Sequence, residues 1–108
     1  MTLHLPEPVT AYFQADKADS ETVARCFTDD AVVKDEGHAY HGRVAIKKWK
    51  EETSAKYVYT CEPLKCESQD GKVVVTCRLD GNFPGSPADL RFFFELTGEQ
   101  IASLEIIP

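Results

Sequence analysis
The sequence predicts an α+β domain: a cone-shaped, curved antiparallel (mixed) sheet with three N-terminal helices packed on its concave face. Three observations carry this. Apolar residues recur at helical spacing through the first half, interrupted only by one short alternating run at Ala31. From Tyr57 onward the period is two. No repeat, low-complexity tract or linker divides the 108 residues, so one domain is expected over 1–108. Helices bunched early and a strand meander late are the pattern of a sheet covered on one face, and a curved sheet so covered leaves a conical cavity.

Taken in order, Pro6 and Pro8 open the first helix, where a missing N–H costs nothing. Val9, Tyr12, Phe13 and Asp16 follow on one stripe. Asp19 or Ser20 caps a second short helix with Val23, Ala24 and Phe27 as its buried face, closed by Thr28-Asp29-Asp30. In the strand from Ala31, alternation places Ala31, Val33 and Asp35 on one face and Val32, Lys34 and Glu36 on the other. A carboxylate on an apolar face either has a partner or has a task. Glu36 to Gly42 reads as a turn bounded by glycines. A third helix runs from about Arg43 to Lys56, with Ala45, Ile46, Trp49 and Thr53 inward and a Glu52–Lys56 pair outside.

Tyr57, Tyr59 and Cys61 then share a strand face until Pro63 interrupts the ladder at an edge or bulge. Asp70-Gly71 marks a hairpin into a strand from Lys72 to Asp80. A loop rich in Gly and Pro leads to a strand from Ala88 to Thr97, with Leu90, Phe92, Phe94 and Leu96 on one face and Arg91, Phe93 and Glu95 on the other. Gly98-Glu99 turns into a last strand, Gln100 to Ile107.

Composition excludes several classes. A net charge of −6 leaves no basic face for nucleic acid. No apolar run approaches the roughly 20 residues of a membrane helix, and the N-terminus shows no signal peptide, so a cytoplasmic location is expected. Cys26, Cys61, Cys66 and Cys77 form no CxxC pair, which favours reduced, buried thiols over a zinc site. His38 and His41 beside Asp35 have a superficial two-His, one-carboxylate spacing, but in a turn that spacing does not bring both rings to one point. No metal and no cofactor are expected.

The segments CFTDDAVVKDEGHAYHGRVAIKKW, GNFPGSPADLRFFFEL and QIASLEI, with the element order over essentially the whole chain, resemble the SnoaL-like polyketide cyclase branch of the nuclear transport factor 2-like superfamily. The first segment is also similar to the ketosteroid isomerase pattern. That resemblance implies a cone-shaped fold, commonly dimeric, that hosts isomerases, cyclases and proteins without a known reaction. It implies that Asp35 stands at the general-base position and Tyr12 close to that of an oxyanion-donating tyrosine. The isomerases' second oxyanion donor, an aspartate, would fall nearer Arg91, with Asp89 two residues away.

Asp35 and Tyr12 are therefore the expected catalytic pair. Phe13, Phe27, Val33, His38, Tyr40, Trp49, Tyr57, Tyr59, Phe92 and Phe94 are expected to line a pocket for a small apolar molecule. Arg78, Arg91 and Phe93 are assigned to the outer sheet face, a surface for a homodimer. Two readings stand at this point: an isomerase or cyclase with Asp35 as base, or a non-catalytic binding or dimerisation module in which Asp35 is structural.

Overall fold
The computed structural model describes residues 4–108. Three helices, α1 (Glu7–Asp16), α2 (Ser20–Arg25) and α3 (Gly42–Lys56), pack on one six-stranded open sheet. Its strands are β1 (Phe27–Asp35), β2 (His38–His41), β3 (Tyr59–Gln69), β4 (Lys72–Gly81), β5 (Ala88–Thr97) and β6 (Gln100–Ile107). Their order is β2-β1-β6-β5-β4-β3. All neighbours are antiparallel except β1 and β6, so the sheet is mixed.

Two local readings are corrected. Phe27 begins β1 instead of closing α2; the helix stops at Arg25, and the Cys26 carbonyl turns to accept the Ile101 amide of β6. The segment after Asp35 is a hairpin. Glu36 and Gly37 both have positive φ and make a two-residue turn, and residues 38–41 return as β2 along β1. Four residues rimmed by glycines carry too little alternation to declare a strand; the pairing partner supplies it.

Pro63 acts as expected, since the β3–β4 register slips between Pro63 and Lys65. A second irregularity near the start of β6 lets Ile101 and Leu104, which strict alternation would separate, both point into the core. These bulges bend the sheet over the helices. The core is aromatic where α1 meets β5: Tyr12 and Phe13 lie 5.5 and 5.9 Å from the Phe94 ring, mostly edge to face.

Gly81 sets the spacing of the β3 end that carries Tyr59. A Cβ there would lie 2.6 Å from the Tyr59 Cβ, with the Val58 carbonyl closer still. Alanine ordinarily suits a strand better than glycine. Gly81→Ala is nevertheless expected to destabilise by about 2 kcal/mol through overpacking, lowering the thermal midpoint by roughly 8–16 °C. A denaturation curve with an unchanged midpoint would contradict the close approach.

Candidate active site
A cavity of about 460 Å³ opens between α3, the β1–β2 hairpin and the inner face of β3–β6. Its position follows from register. Asp35 on β1 faces Ile106 on β6, which faces Phe92 on β5, and all three line the cavity. One repeat along, roughly 7 Å away, the row Val33–Leu104–Phe94 is fully covered. The cone is therefore solid beneath α1 and α2 and hollow beyond them.

That boundary sorts the expected lining residues. Tyr12, Asp35, His38, Tyr40, Trp49, Tyr57, Tyr59 and Phe92 line the cavity. Phe27, Val33 and Phe94 do not: they belong to the sealed core on the closed side. Phe13, which follows Tyr12 on α1, faces a second cleft instead. Tyr57 meets Phe83 edge to face at 6.0 Å; with Glu36, Glu52, Lys56 and Pro84 they form the mouth. Glu52 and Lys56 do not form the ion pair expected from their spacing.

The one cation near enough in sequence to neutralise Asp35 from the start of α3, Arg43, does not pair with it. Arg43 is taken by Asp29 at 2.8 Å and by the Phe27 carbonyl. The Trp49 indole Nε1–H donates to Asp35 Oδ2 at 3.0 Å. Burial pushes the Asp35 carboxyl above its ordinary value; the Trp49 bond offsets part of this, Glu36 adds to it, and Lys50 and the Glu36 amide pull weakly back. His38 is the cross-strand partner of Asp35 on β2, and Tyr40 shares its face. His41 lies opposite Val32, on the other face, so the two histidines diverge. Among the described residues no group of three or more His, Cys, Asp or Glu side chains is placed to hold a metal ion.

Tyr12 is 1% exposed, and its hydroxyl hydrogen-bonds to none of the described residues, although the side chain borders the cavity. Burial, with Asp16 and Tyr59 nearby, holds this phenol well above its usual value, so it is a donor and not a phenolate. On β5, Leu90 and Phe92 face the cavity, while Asp89 is bound to Arg78 at 3.1 Å and Arg91 to the Pro108 carbonyl at 3.0 Å. Neither Asp89 nor Arg91 serves as a second oxyanion donor.

Sequence reasoning missed Lys50 and the role of Asp16. Lys50 is 3% exposed, on the row of α3 that also carries Ile46. Its ammonium is in contact with Asp16 Oδ1 and donates to the Tyr59 hydroxyl at 2.9 Å. Tyr59 in turn donates to Asp16 at 3.4 Å, which closes a buried triad joining α1, α3 and β3. The ammonium also lies 4.9 Å from the Trp49 ring centroid. Burial alone would pull Lys50 down, but the Tyr59 and Asp16 oxygens outweigh it and leave it above its ordinary value. Half of the signal was present: Asp16 stands on the apolar stripe of α1, while Lys50 lies off the inner stripe read for α3. The cysteines are free, and burial pushes the Cys26 and Cys66 thiols up, away from the reactive thiolate.

Comparison with known proteins agrees with this architecture. A protein from Sinorhizobium meliloti described as a candidate polyketide cyclase is 39% identical and superposes with a TM-score of 0.89, covering 94% of each chain. A Catenulispora acidiphila protein of ketosteroid isomerase-like fold, in complex with trimethylamine, is 23% identical, with a TM-score of 0.84 over 97% of this chain and 87% of that one. A de novo designed protein with a curved β-sheet is 19% identical with a TM-score of 0.67, covering 93% of this chain and 95% of that one; these last two share the fold alone. No curated protein gives a significant match. No described helix is long and apolar enough to cross a membrane. The SnoaL-like domain family matches residues 9–104, and together with the Sinorhizobium relative this places the chain in the SnoaL-like family of the ketosteroid isomerase-like, nuclear transport factor 2-like fold.

Proposed function
We propose that this chain is a proton-transfer catalyst, an isomerase or cyclase, acting next to the carbonyl of a small, largely apolar molecule, with Asp35 as general base. One observation carries the reading. Asp35 sits on the floor of an aromatic-lined cavity, desolvated, held by the Trp49 indole N–H and free of any ion pair. A carboxylate whose value is raised by burial is a stronger base toward carbon than one in water. Tyr12 supplies a hydroxyl donor, and His38 and Tyr40 orient the substrate from the hairpin. Proton transfer of this kind needs no cofactor. The description of the Sinorhizobium relative as a cyclase supports the reaction class.

The test is solvent deuterium incorporation at the α-carbons of a panel of apolar cyclic ketones, followed by NMR with wild type and Asp35→Asn. Exchange that depends on Asp35 supports the reading. Ketones that bind, quenching Trp49 fluorescence, with no exchange in wild type would establish the non-catalytic binding module instead.

We also propose a homodimer through the outer sheet face. There the half-buried Phe93 ring, stacked by Arg91 at 5.5 Å, leaves apolar surface among charged neighbours. Sedimentation equilibrium is expected to give twice the monomer mass, reverting to the monomer in Phe93→Glu.

A further inference from the structure
The proposed mechanism uses Asp35 and Tyr12 but leaves the most costly group in the cavity wall without a task. Lys50 is an ammonium almost removed from water, and a buried charge is retained only when paired. An ammonium has three N–H donors. Asp16 and Tyr59 account for two, and no other hydrogen bond of Lys50 to a described residue exists. Lys50 borders the same cavity as Asp35, and Trp49 separates the two: its N–H binds Asp35 while its ring lies against Lys50.

We infer that Lys50 is the electrophilic residue of this site, giving its third N–H to a substrate oxygen that becomes anionic, with Asp16 and Tyr59 as its positioning residues. The inference rests on the assignment of Asp35 as base. It names the substrate class: compounds with an enolisable carbonyl, entering neutral. When the C–H bond breaks, its electron pair becomes the C=C bond and the carbonyl π pair moves onto oxygen. The proton goes to Asp35. Negative charge thus leaves Asp35 and arises on the oxygen, where Lys50 and the Tyr12 hydroxyl receive it. Isomerisation returns the proton to another carbon; cyclisation spends the enolate's electron pair on a second carbonyl carbon of the same molecule, whose oxygen takes up the proton. Held as an ammonium by Asp16 and Tyr59, Lys50 has no lone pair with which to form a Schiff base.

The cavity's charges agree with neutral entry. Asp16, Asp35, Glu36 and Glu52 face it, against Lys50 and Lys56. An anionic substrate would be repelled at the mouth, whereas an anion formed inside meets the buried ammonium.

The test uses 2-naphthol, whose emission distinguishes neutral from ionised forms, bound to Asp35→Asn, which imitates the protonated base. Lys50 is expected to keep the bound naphthol ionised well below the pH at which it ionises in water. Adding Lys50→Met should reduce the ionised-to-neutral ratio at least about tenfold, roughly one pH unit of displacement, and Lys50→Arg should retain most of it. Should the Met variant fail to fold, Tyr59→Phe, which removes one of the two groups that hold and position the ammonium, should reduce the ratio several-fold. Naphthol that does not bind, that stays neutral in Asp35→Asn, or whose ionisation ignores these substitutions overturns the inference. Ionisation that depends on Lys50, without deuterium exchange by the wild type, would instead defeat the assignment of Asp35 while leaving that of Lys50 standing.

Discussion
Asp35→Asn is expected to abolish α-proton exchange, by about 10²–10⁴-fold, while making the domain more stable at neutral pH. The first part follows from geometry: asparagine retains an oxygen for the Trp49 N–H at the same place but cannot accept a proton from carbon. The second follows from burial. The carboxylate lies in a desolvated site with no cation bound to it, so its charged form is disfavoured in the folded state. Removing that charge is expected to raise the midpoint by about 4–8 °C, the scale set by roughly 1 kcal/mol in a domain of this size. An acid kept at a stability cost is what a functional group looks like.

The pH dependence separates this from a packing effect. Because the folded-state value of Asp35 is raised, the folded protein binds more protons than the unfolded chain between the ordinary carboxylate value and the raised one. Stability contributed by Asp35 is therefore lost as pH rises through that window. Wild type and Asp35→Asn should melt close together below the ordinary carboxylate range and diverge above it, with the variant higher. Differential scanning calorimetry from about pH 3 to 7 reads this directly. A wild type that melts higher than the variant at neutral pH would show Asp35 to be a structural acceptor.

How much of this was legible in the sequence depends on whether the deciding contact was local. The strand from Ala88 to Thr97 stands as read because alternation is a property of consecutive positions. The bounds of the strand from Gln100 to Ile107 stand because of the turn that precedes it, although a bulge breaks its alternation. Asp35 could be placed inward by alternation along β1. Residues 38–41 could not be read as a strand, since only their pairing with β1 makes them one. Phe94 and Phe92 are indistinguishable in sequence, both aromatic and on one face. Both pack against the α1 rings, but Phe94 is wholly enclosed whereas Phe92 also borders the cavity. Lys50 looked like the solvated side of α3, and its burial depends on Asp16, thirty-four positions earlier on another helix. Local periodicity reports how a side chain points; it does not report what waits there.

That long-range pair yields the largest expected stability effect. Asp16→Ala leaves the Lys50 ammonium buried with only the Tyr59 hydroxyl, and removing one partner of a buried ion pair costs roughly 3–5 kcal/mol. At about 4–8 °C per kcal/mol the midpoint should fall by at least about 12 °C. Here too the sign with pH is diagnostic. In wild type the Tyr59 and Asp16 oxygens leave Lys50 above its ordinary value against the pull of burial. Its contribution is thus fully present below the ordinary lysine value and is lost as pH rises through the raised one. Asp16→Ala removes one of the two groups that hold Lys50 up against burial, so its value is expected to fall relative to wild type, and the variant recovers as the amine deprotonates. The gap between the two proteins should narrow as pH rises toward the ordinary lysine value; a constant gap would mean that Asp16 contributes packing alone. The double variant Asp16→Leu with Lys50→Met, which removes both charges and keeps apolar volume, should regain most of the lost stability, because a well-packed apolar replacement of a buried pair is often neutral or better. If that stable protein no longer ionises naphthol in the Asp35→Asn background, stability alone cannot account for burying a lysine here. The ammonium is then held in the wall of the cavity for the charge it offers to what binds there.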